Sequence, residues 1–181
     1  MPTPISITTD PGASSAFLSR IAREIPAIGI SPMSCLLEAK ASVTAALETG
    51  KPVWLSWSIA DTGEAVLRSG ESIHDAWHDI ANTGVQAVLI NCSPPEAISK
   101  VLPELISVCD IPVGAYANAF TPIPHHWDFH GNESIPPARV DVTPAVYADH
   151  ARDWVDAGAV IVGGCCEVGP DHIERLQQML R

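Results

Sequence analysis

Three times in this chain a helix-forming stretch runs to a glycine, and an apolar stretch of strand length begins within a few residues. The three are "SCLLEAKASVTAALETGKPVWLSWSI", "SIHDAWHDIANTGVQAVLINC" and "TPAVYADHARDWVDAGAVIVGGCC". Gly50, Gly84 and Gly158 stand where the residue that ends a helix is expected. The strand candidates "PVWLSWSI", "VQAVLIN", "IPVGAY" and "AVIVGG" are dominated by apolar residues. Strands of that kind are covered on both faces, as parallel strands between layers are. Repeated alternation of helix and strand therefore constrains the chain to an α/β fold. Periodicity does not separate a barrel from an open sheet.

Helix starts are also legible. Ser93-Pro94-Pro95-Glu96 reads as an N-cap serine, a proline at the first helical position and a capping-box glutamate. Thr143-Pro144 opens another helix in the same way, and Ser72 with Asp75 resembles a third. After Thr143, the residues Val146, His150, Trp154 and Val155 fall at helical spacing and predict one packed face. Residues 1 to about 30 carry only a weak helical signal, "SAFLSRIAREI". The segment "TPIPHHWDFHGNESIPPARVDVTP", rich in proline, polar residues and histidine, predicts a long loop.

With 181 residues, 46% of them hydrophobic and 17% charged, the chain suits one domain with a large core. No apolar run reaches the roughly 18 residues of a membrane span. The opening "MPTPISITTDPGASS" has neither the basic nor the apolar region of a signal peptide, so a cytoplasmic protein is expected. A net charge of −11 argues against nucleic acid as a partner, because such binding draws on clustered Lys and Arg.

Five cysteines are present: Cys35, Cys92, Cys109, Cys165 and Cys166. An odd number without an export signal predicts reduced thiols. Cys92 closes a strand in "LINCSPP", and Cys165 with Cys166 closes another in "IVGGCC". Ligands of parallel α/β folds bind beyond the carboxyl ends of the strands, so these three thiols belong on the reactive rim. Neighbouring residues of a strand point to opposite faces. Equivalent roles for Cys165 and Cys166 therefore require the backbone to turn, which Gly163 and Gly164 permit. Cys35 opens a helix and Cys109 lies in a helix-to-strand turn, away from that rim.

Three thiolates suit tetrahedral zinc and leave the fourth position open, the mark of a catalytic rather than a structural ion. The spacing leaves two readings open. One is a zinc centre held between distant strands; the other is Cys92 as a small buried hydrophobe, with a vicinal pair that is redox-active or incidental. A vicinal disulfide would be strained.

Other residues read as structural. His125, His126 and His130 in "PHHWDFH" fit a surface loop better than a metal cluster, and His172 fits a cap or rim position. Trp54 and Trp57 fall on a strand and read as core. Neither a GxxxxGK[ST] nor a GxGxxG phosphate loop is present, and no local motif suggests a Ser-His-Asp arrangement.

Several motifs resemble one family in order. "GGCCEVGPDHIERL" is similar to the C-terminal signature of the homocysteine S-methyltransferase family, and "INCSPPEAI" to its Asn-Cys segment. "PVWLSWSIADTGEAVLRSGESI" resembles its strand, loop and glycine, and "VGAYANAF" its Tyr-x-Asn strand. The likeness runs from about Met33 to the C-terminus. It implies a (β/α)8 TIM-barrel type of fold, incomplete here, with about five of eight strands recognisable. Residues 1–32 are then a divergent N-terminal segment and 33–181 the C-terminal part of the barrel.

The resemblance also implies Zn2+ held by Cys92, Cys165 and Cys166, with the substrate thiol as fourth ligand. No catalytic group beyond the metal is required. The implied reaction moves a methyl group from S-methylmethionine, betaine or a similar donor to homocysteine, giving methionine. Asn91 and Asn118, at strand ends, are implied to lie near the substrate. Ser31-Pro32-Met33 stands where the family has Glu-Thr and an apolar residue, and the family's Asp-Gly-Gly-type segment is absent. Such a barrel takes about 250 residues. A shorter one leaves open strand edges and predicts a homo-oligomer or a complementing chain. The alternative is a truncated, catalytically inactive barrel fragment or interaction module retaining the zinc site.

Overall fold

The computed structural model describes residues 6–7, 27–122 and 135–180. In chain order the elements are β1 (Ser6–Ile7), β2 (Ile28–Met33), α1 (Leu36–Leu47), β3 (Val53–Trp57) and α2 (Ile73–Ile80). They continue with β4 (Ala87–Asn91), α3 (Pro95–Val108), β5 (Val113–Tyr116), α4 (Pro144–Ala157), β6 (Ile161–Val162) and α5 (Pro170–Met179). The strands lie side by side in sequence order, from β1 to β6, and every pairing is parallel.

An open doubly wound sheet reverses its strand order at a switch point. No reversal occurs among these strands. Each crossover advances one strand in a single direction, which is how a (β/α)8 barrel is wound. The helices follow suit: α2 packs on α3, α3 on α4 and α4 on α5. The fold is an incomplete barrel of that type, in which β1 and β6 are the two edges among the described residues.

Strand alternation sorts the side chains by face. Ile30, Leu55, Trp57, Ile90 and Ala115 turn towards the helices and share one core with Val43, Ile80, Leu102 and Trp154. Each enclosed Leu or Ile there contributes about 1.5–3 kcal/mol relative to exposure. The alternate positions Ser31, Ser56 and Asn91 are buried as well, and Asn91 sits in register with Tyr116. These residues face the inside of the curved sheet.

Two helix starts are as the sequence predicts. The Thr143 hydroxyl accepts from the Val146 N–H, and the Ser72 hydroxyl from the Asp75 N–H. Gly158 ends α4 in the left-handed region, at φ 118°, where a Cβ would be strained. The third start differs. Pro94, not Ser93, occupies the cap of α3 and makes no side-chain cap bond. The buried Ser93 hydroxyl accepts from the Ile59 N–H at 3.0 Å instead, tying the loop after β3 to the loop after β4. A tertiary partner has outcompeted the local one.

The packed face of α4 is also one residue out of phase with the expected one. Tyr147, Ala148, Ala151 and Trp154 are buried, whereas Val146 is exposed and His150 half-buried. Trp57 is core as expected, and Trp54 is half-buried. Strand β2 was hidden in sequence because Gly29, Ser31 and Pro32 interrupt its apolar pattern. The segment "SAFLSRIAREI", His125, His126 and His130 lie outside the described residues. No described helix is long and apolar enough to cross a membrane.

Candidate metal centre

The turns after β4 and β6 bring three thiols together. Cys92 Sγ lies 3.9 Å from Cys166 Sγ, and Cys165 Sγ lies 3.8 Å from Cys166 Sγ. All three sulfurs fall within 4.8 Å of one another. A tetrahedral ion with zinc–sulfur bonds of about 2.3 Å sets its sulfurs about 3.8 Å apart. Spacing and donor chemistry both fit such an ion, and the three ligands leave a fourth position.

Each thiol is aimed by its backbone. Cys92 adopts a left-handed conformation, φ 50°, which costs a non-glycine residue about 1–2 kcal/mol. Hydrogen bonds hold it there: its N–H donates to the Tyr116 carbonyl at 3.2 Å, and the Arg68 guanidinium donates to its carbonyl at 3.3 Å. Strain of this kind persists only where the surroundings enforce it, and it gathers at functional sites. Arg68 is itself fixed by an ion pair with Asp61 at 2.7 Å.

On the other side, β6 runs on beyond its last strand residue. Cys165 N–H donates to the Ala117 carbonyl, and the Cys166 carbonyl accepts from Ala119 N–H, both at 2.9 Å. The chain then turns, and the left-handed position belongs to Glu167, at φ 61°. Gly163 and Gly164, expected to permit a turn, are not themselves left-handed. Gly164 is required for room: a Cβ there would lie 2.2 Å from Val168 Cγ1.

Tyr147, which sequence reasoning missed, braces this turn from α4. Its hydroxyl donates to the Gly163 carbonyl at 2.7 Å and accepts from the Ala117 N–H at 2.9 Å. The His172 ring packs edge-on against Tyr147, and its Nε2 meets the Val142 carbonyl at 2.9 Å. That is the structural role expected of His172.

The three thiols do not ionise alike. Cys92 is pulled down to about 6, chiefly by the hydrogen bond from Cys165, with further help from Cys166, the Asn118 amide and the Arg68 charge. Cys165 is pushed up, first by its hydrogen bond to Cys92 and then by burial. Burial and the Cys92 charge push Cys166 up. Like charges in one coordination sphere cannot all be present without a cation to balance them. Without a metal, Cys92 is thus the most readily ionised of the three, and its charge opposes ionisation of the other two.

The remaining cysteines stand apart. Cys35 caps α1, accepting from Glu38 N–H at 3.5 Å. Cys109 ends α3, and burial pushes its thiol up to about 12, the opposite of a reactive sulfur. Among the described residues, only Cys92, Cys165 and Cys166 cluster as metal ligands.

Comparison with known proteins places this geometry. A selenocysteine methyltransferase of Astragalus bisulcatus is 31% identical over 134 residues, which are 71% of this chain and 36% of that protein. Homocysteine S-methyltransferase 2 of Zea mays is 30% identical over 131 residues, again 71% and 36%. The chain thus spans about a third of the length of these relatives. The homocysteine methyltransferase MmuM of Escherichia coli, in its apo form, superposes with a TM-score of 0.67 at 20% identity, over 96% of this chain and 61% of that one. Its metallated form gives 0.66 at 19% identity, over 93% and 53%. The model of the family described as homocysteine S-methyltransferase matches residues 15–180, and the chain belongs to that family.

Proposed function

We propose that Cys92, Cys165 and Cys166 hold a zinc ion whose fourth ligand is the thiol of homocysteine, which then receives a methyl group to give methionine. The observation carrying this reading is the convergence of three sulfurs at the spacing of one tetrahedral ion, with a position left over. Zinc in such a site lowers the pKa of a bound thiol, so that its sulfur is anionic at neutral pH. The names of the relatives and the metallated form of MmuM support the same reading.

The protein's own part is binding and aim. Cys92 supplies a thiolate before the ion arrives, and Arg68 holds its carbonyl. Tyr147 fixes the turn that presents Cys165 and Cys166. In the transfer, the substrate sulfur forms a bond to the methyl carbon of a sulfonium or quaternary ammonium donor. The donor's carbon–heteroatom bond breaks, its electron pair stays with the donor, and the thiol proton has already left to solvent. S-Methylmethionine and betaine are donors of these two classes. Zinc-loaded protein with homocysteine and either donor is expected to form methionine. Homocysteine consumption without methionine, or no reaction with any sulfonium or ammonium donor, overturns the reading.

The open sheet edges favour a second condition. Val160, Ile173 and Leu180, on and beside the β6–α5 unit, are exposed apolar residues, and β1 and β6 end the sheet among the described residues. Unpaired edges beside apolar surface drive association. The chain is expected to be an oligomer, or to need a complementing chain, before it turns over substrate. Light scattering checks this, and a monodisperse monomer that is fully active contradicts it. A zinc-binding oligomer inert towards every donor supports the reading as an inactive fragment or interaction module.

A further inference from the structure

Between the end of β5 and the start of α4, two short stretches of chain lie antiparallel beside the thiols. Phe120 and Ala138 are bridge partners. Thr121 N–H donates to the Pro137 carbonyl at 3.0 Å, and Arg139 N–H to the Ala119 carbonyl at 2.8 Å. The first stretch touches both arms of the thiol cluster. Asn118 N–H donates to the carbonyl of Ser93, next to Cys92, at 3.1 Å, and the Asn118 amide hydrogen-bonds the Cys92 sulfur. One residue on, Ala119 N–H donates to the Cys166 carbonyl at 2.9 Å. Asn118 and Ala119 are thus a spacer between the two arms.

The second stretch fastens that spacer from outside. The Arg139 guanidinium donates to both Glu96 oxygens, from Nη1 at 2.9 Å and from Nη2 at 2.7 Å. It also donates to both Asp141 oxygens, from Nε at 3.1 Å and from Nη2 at 2.6 Å. Glu96 lies in the first turn of α3, the helix that follows Cys92. The fork therefore ties the paired stretches to the segment that carries one of the thiols. Lys40–Asp79 and Arg152–Asp149 are different: they are single contacts between exposed helix residues, a kind of pair that contributes little. The Arg139 side chain is only 16% exposed, and a planar fork matched to a carboxylate at two points fixes direction as well as distance.

We propose that Arg139 is a positioning residue of the metal centre: by clamping residues 118–121 and 137–139 to the start of α3, it sets the distance between Cys92 and the turn that bears Cys165 and Cys166. The inference rests on the reading of the three thiols as ligands of one zinc ion, and adds the residue that keeps their two arms in register. Ligands already held in place cost less to gather around an ion, so the clamp raises affinity without touching the metal.

Cobalt(II) provides a test without turnover, because its visible bands report coordination geometry as well as occupancy. Arg139→Met keeps the apolar stem and removes every donor; Glu96→Ala keeps a good helix former and removes the acceptor. Each is expected to weaken cobalt binding about tenfold or more, as loss of a partner that orients metal ligands does, and to dim the tetrahedral bands at saturating cobalt. The double variant is expected to bind no more than about threefold worse than the weaker single variant, because the two residues act as one unit. A clamp that served the fold alone would destabilise metal-free and metal-bound protein equally, leaving affinity and bands unchanged. Should Arg139→Met fail to fold, Glu96→Ala, at a side chain 45% exposed, decides by the same two readouts.

Affinity and bands unchanged in the variants that fold overturn the clamp and leave the thiol centre standing. Losses that multiply in the double variant overturn it too, since the residues would then act separately. If the unaltered protein takes up no cobalt on its thiols, the zinc reading falls, and the clamp with it.

Discussion

Cys165→Ser is expected to lower zinc from about one ion per chain to less than about a tenth, because a hydroxyl does not ionise to become a soft ligand. The affinity should fall by more than about 100-fold, the upper end of what removing a mere outer partner costs. Cys165 is the right residue to change, since it hydrogen-bonds Cys92 and its own N–H anchors the turn to β5 through the Ala117 carbonyl. Substitution spares that backbone bond, so loss of metal without loss of fold isolates the sulfur. Metal analysis with circular dichroism reads both. Near-stoichiometric zinc in the variant would place the ion elsewhere.

The same titration carries a pH signature. Cys92 sits at about 6 and is already a thiolate at pH 7, while Cys165 and Cys166 are raised and hold their protons. Binding must therefore displace about two protons per ion at neutral pH. Raised groups resist ionisation, so affinity climbs with pH, by about 100-fold per unit for two protons. Below about pH 6, where Cys92 is protonated as well, the dependence steepens. A pH-independent affinity would mean that the thiols are not the ligands.

The second large effect is expected of Tyr147→Phe. The hydroxyl serves the Gly163 carbonyl and the Ala117 N–H inside the barrel wall. Phenylalanine keeps the ring, including its edge contact with Trp154 at a centroid distance of 5.8 Å, but strands both backbone groups. An unsatisfied buried group costs about 1–3 kcal/mol, so the pair costs roughly 2–6 kcal/mol. Against a typical domain stability of about 5–15 kcal/mol, that is a large fraction. The turn bearing Cys165 and Cys166 loosens with it, and zinc affinity should drop about 10–100-fold, as for outer partners of metal ligands. Denaturant unfolding of the metal-free protein separates the two effects. A variant with unchanged unfolding midpoint and unchanged zinc affinity would show that the brace is idle.

Why Tyr147 escaped the sequence and Cys165 did not is a matter of phase and range. Both Val146–His150–Trp154 and Tyr147–Ala151–Trp154 satisfy helical spacing. Ala148 and Ala151 on the second stripe were the available signal, because small residues let a helix approach closely. The strands β3, β4 and β5 were legible because burial on both faces makes them apolar throughout, whereas β2 carries the polar Ser31 that its inner face uses. The thiols were legible because strand ends are where a parallel sheet exposes chemistry. The left-handed Cys92 and its tie to Arg68 were not, since a backbone conformation imposed by residues 24 positions away leaves no local trace.

Cys92 and Cys166 are separated by 74 residues of chain. An ion gripping both ends of that span acts as a removable rivet between β4 and β6. A permanent cross-link closing a loop of that size would cost the unfolded chain about 4 kcal/mol of entropy, and metal clips act on long loops in the same sense. With zinc held there as proposed, durability would be coupled to zinc supply: starved of the ion, the chain should unravel more often and be cleared by proteases, so that abundance would follow metal supply without any dedicated sensor.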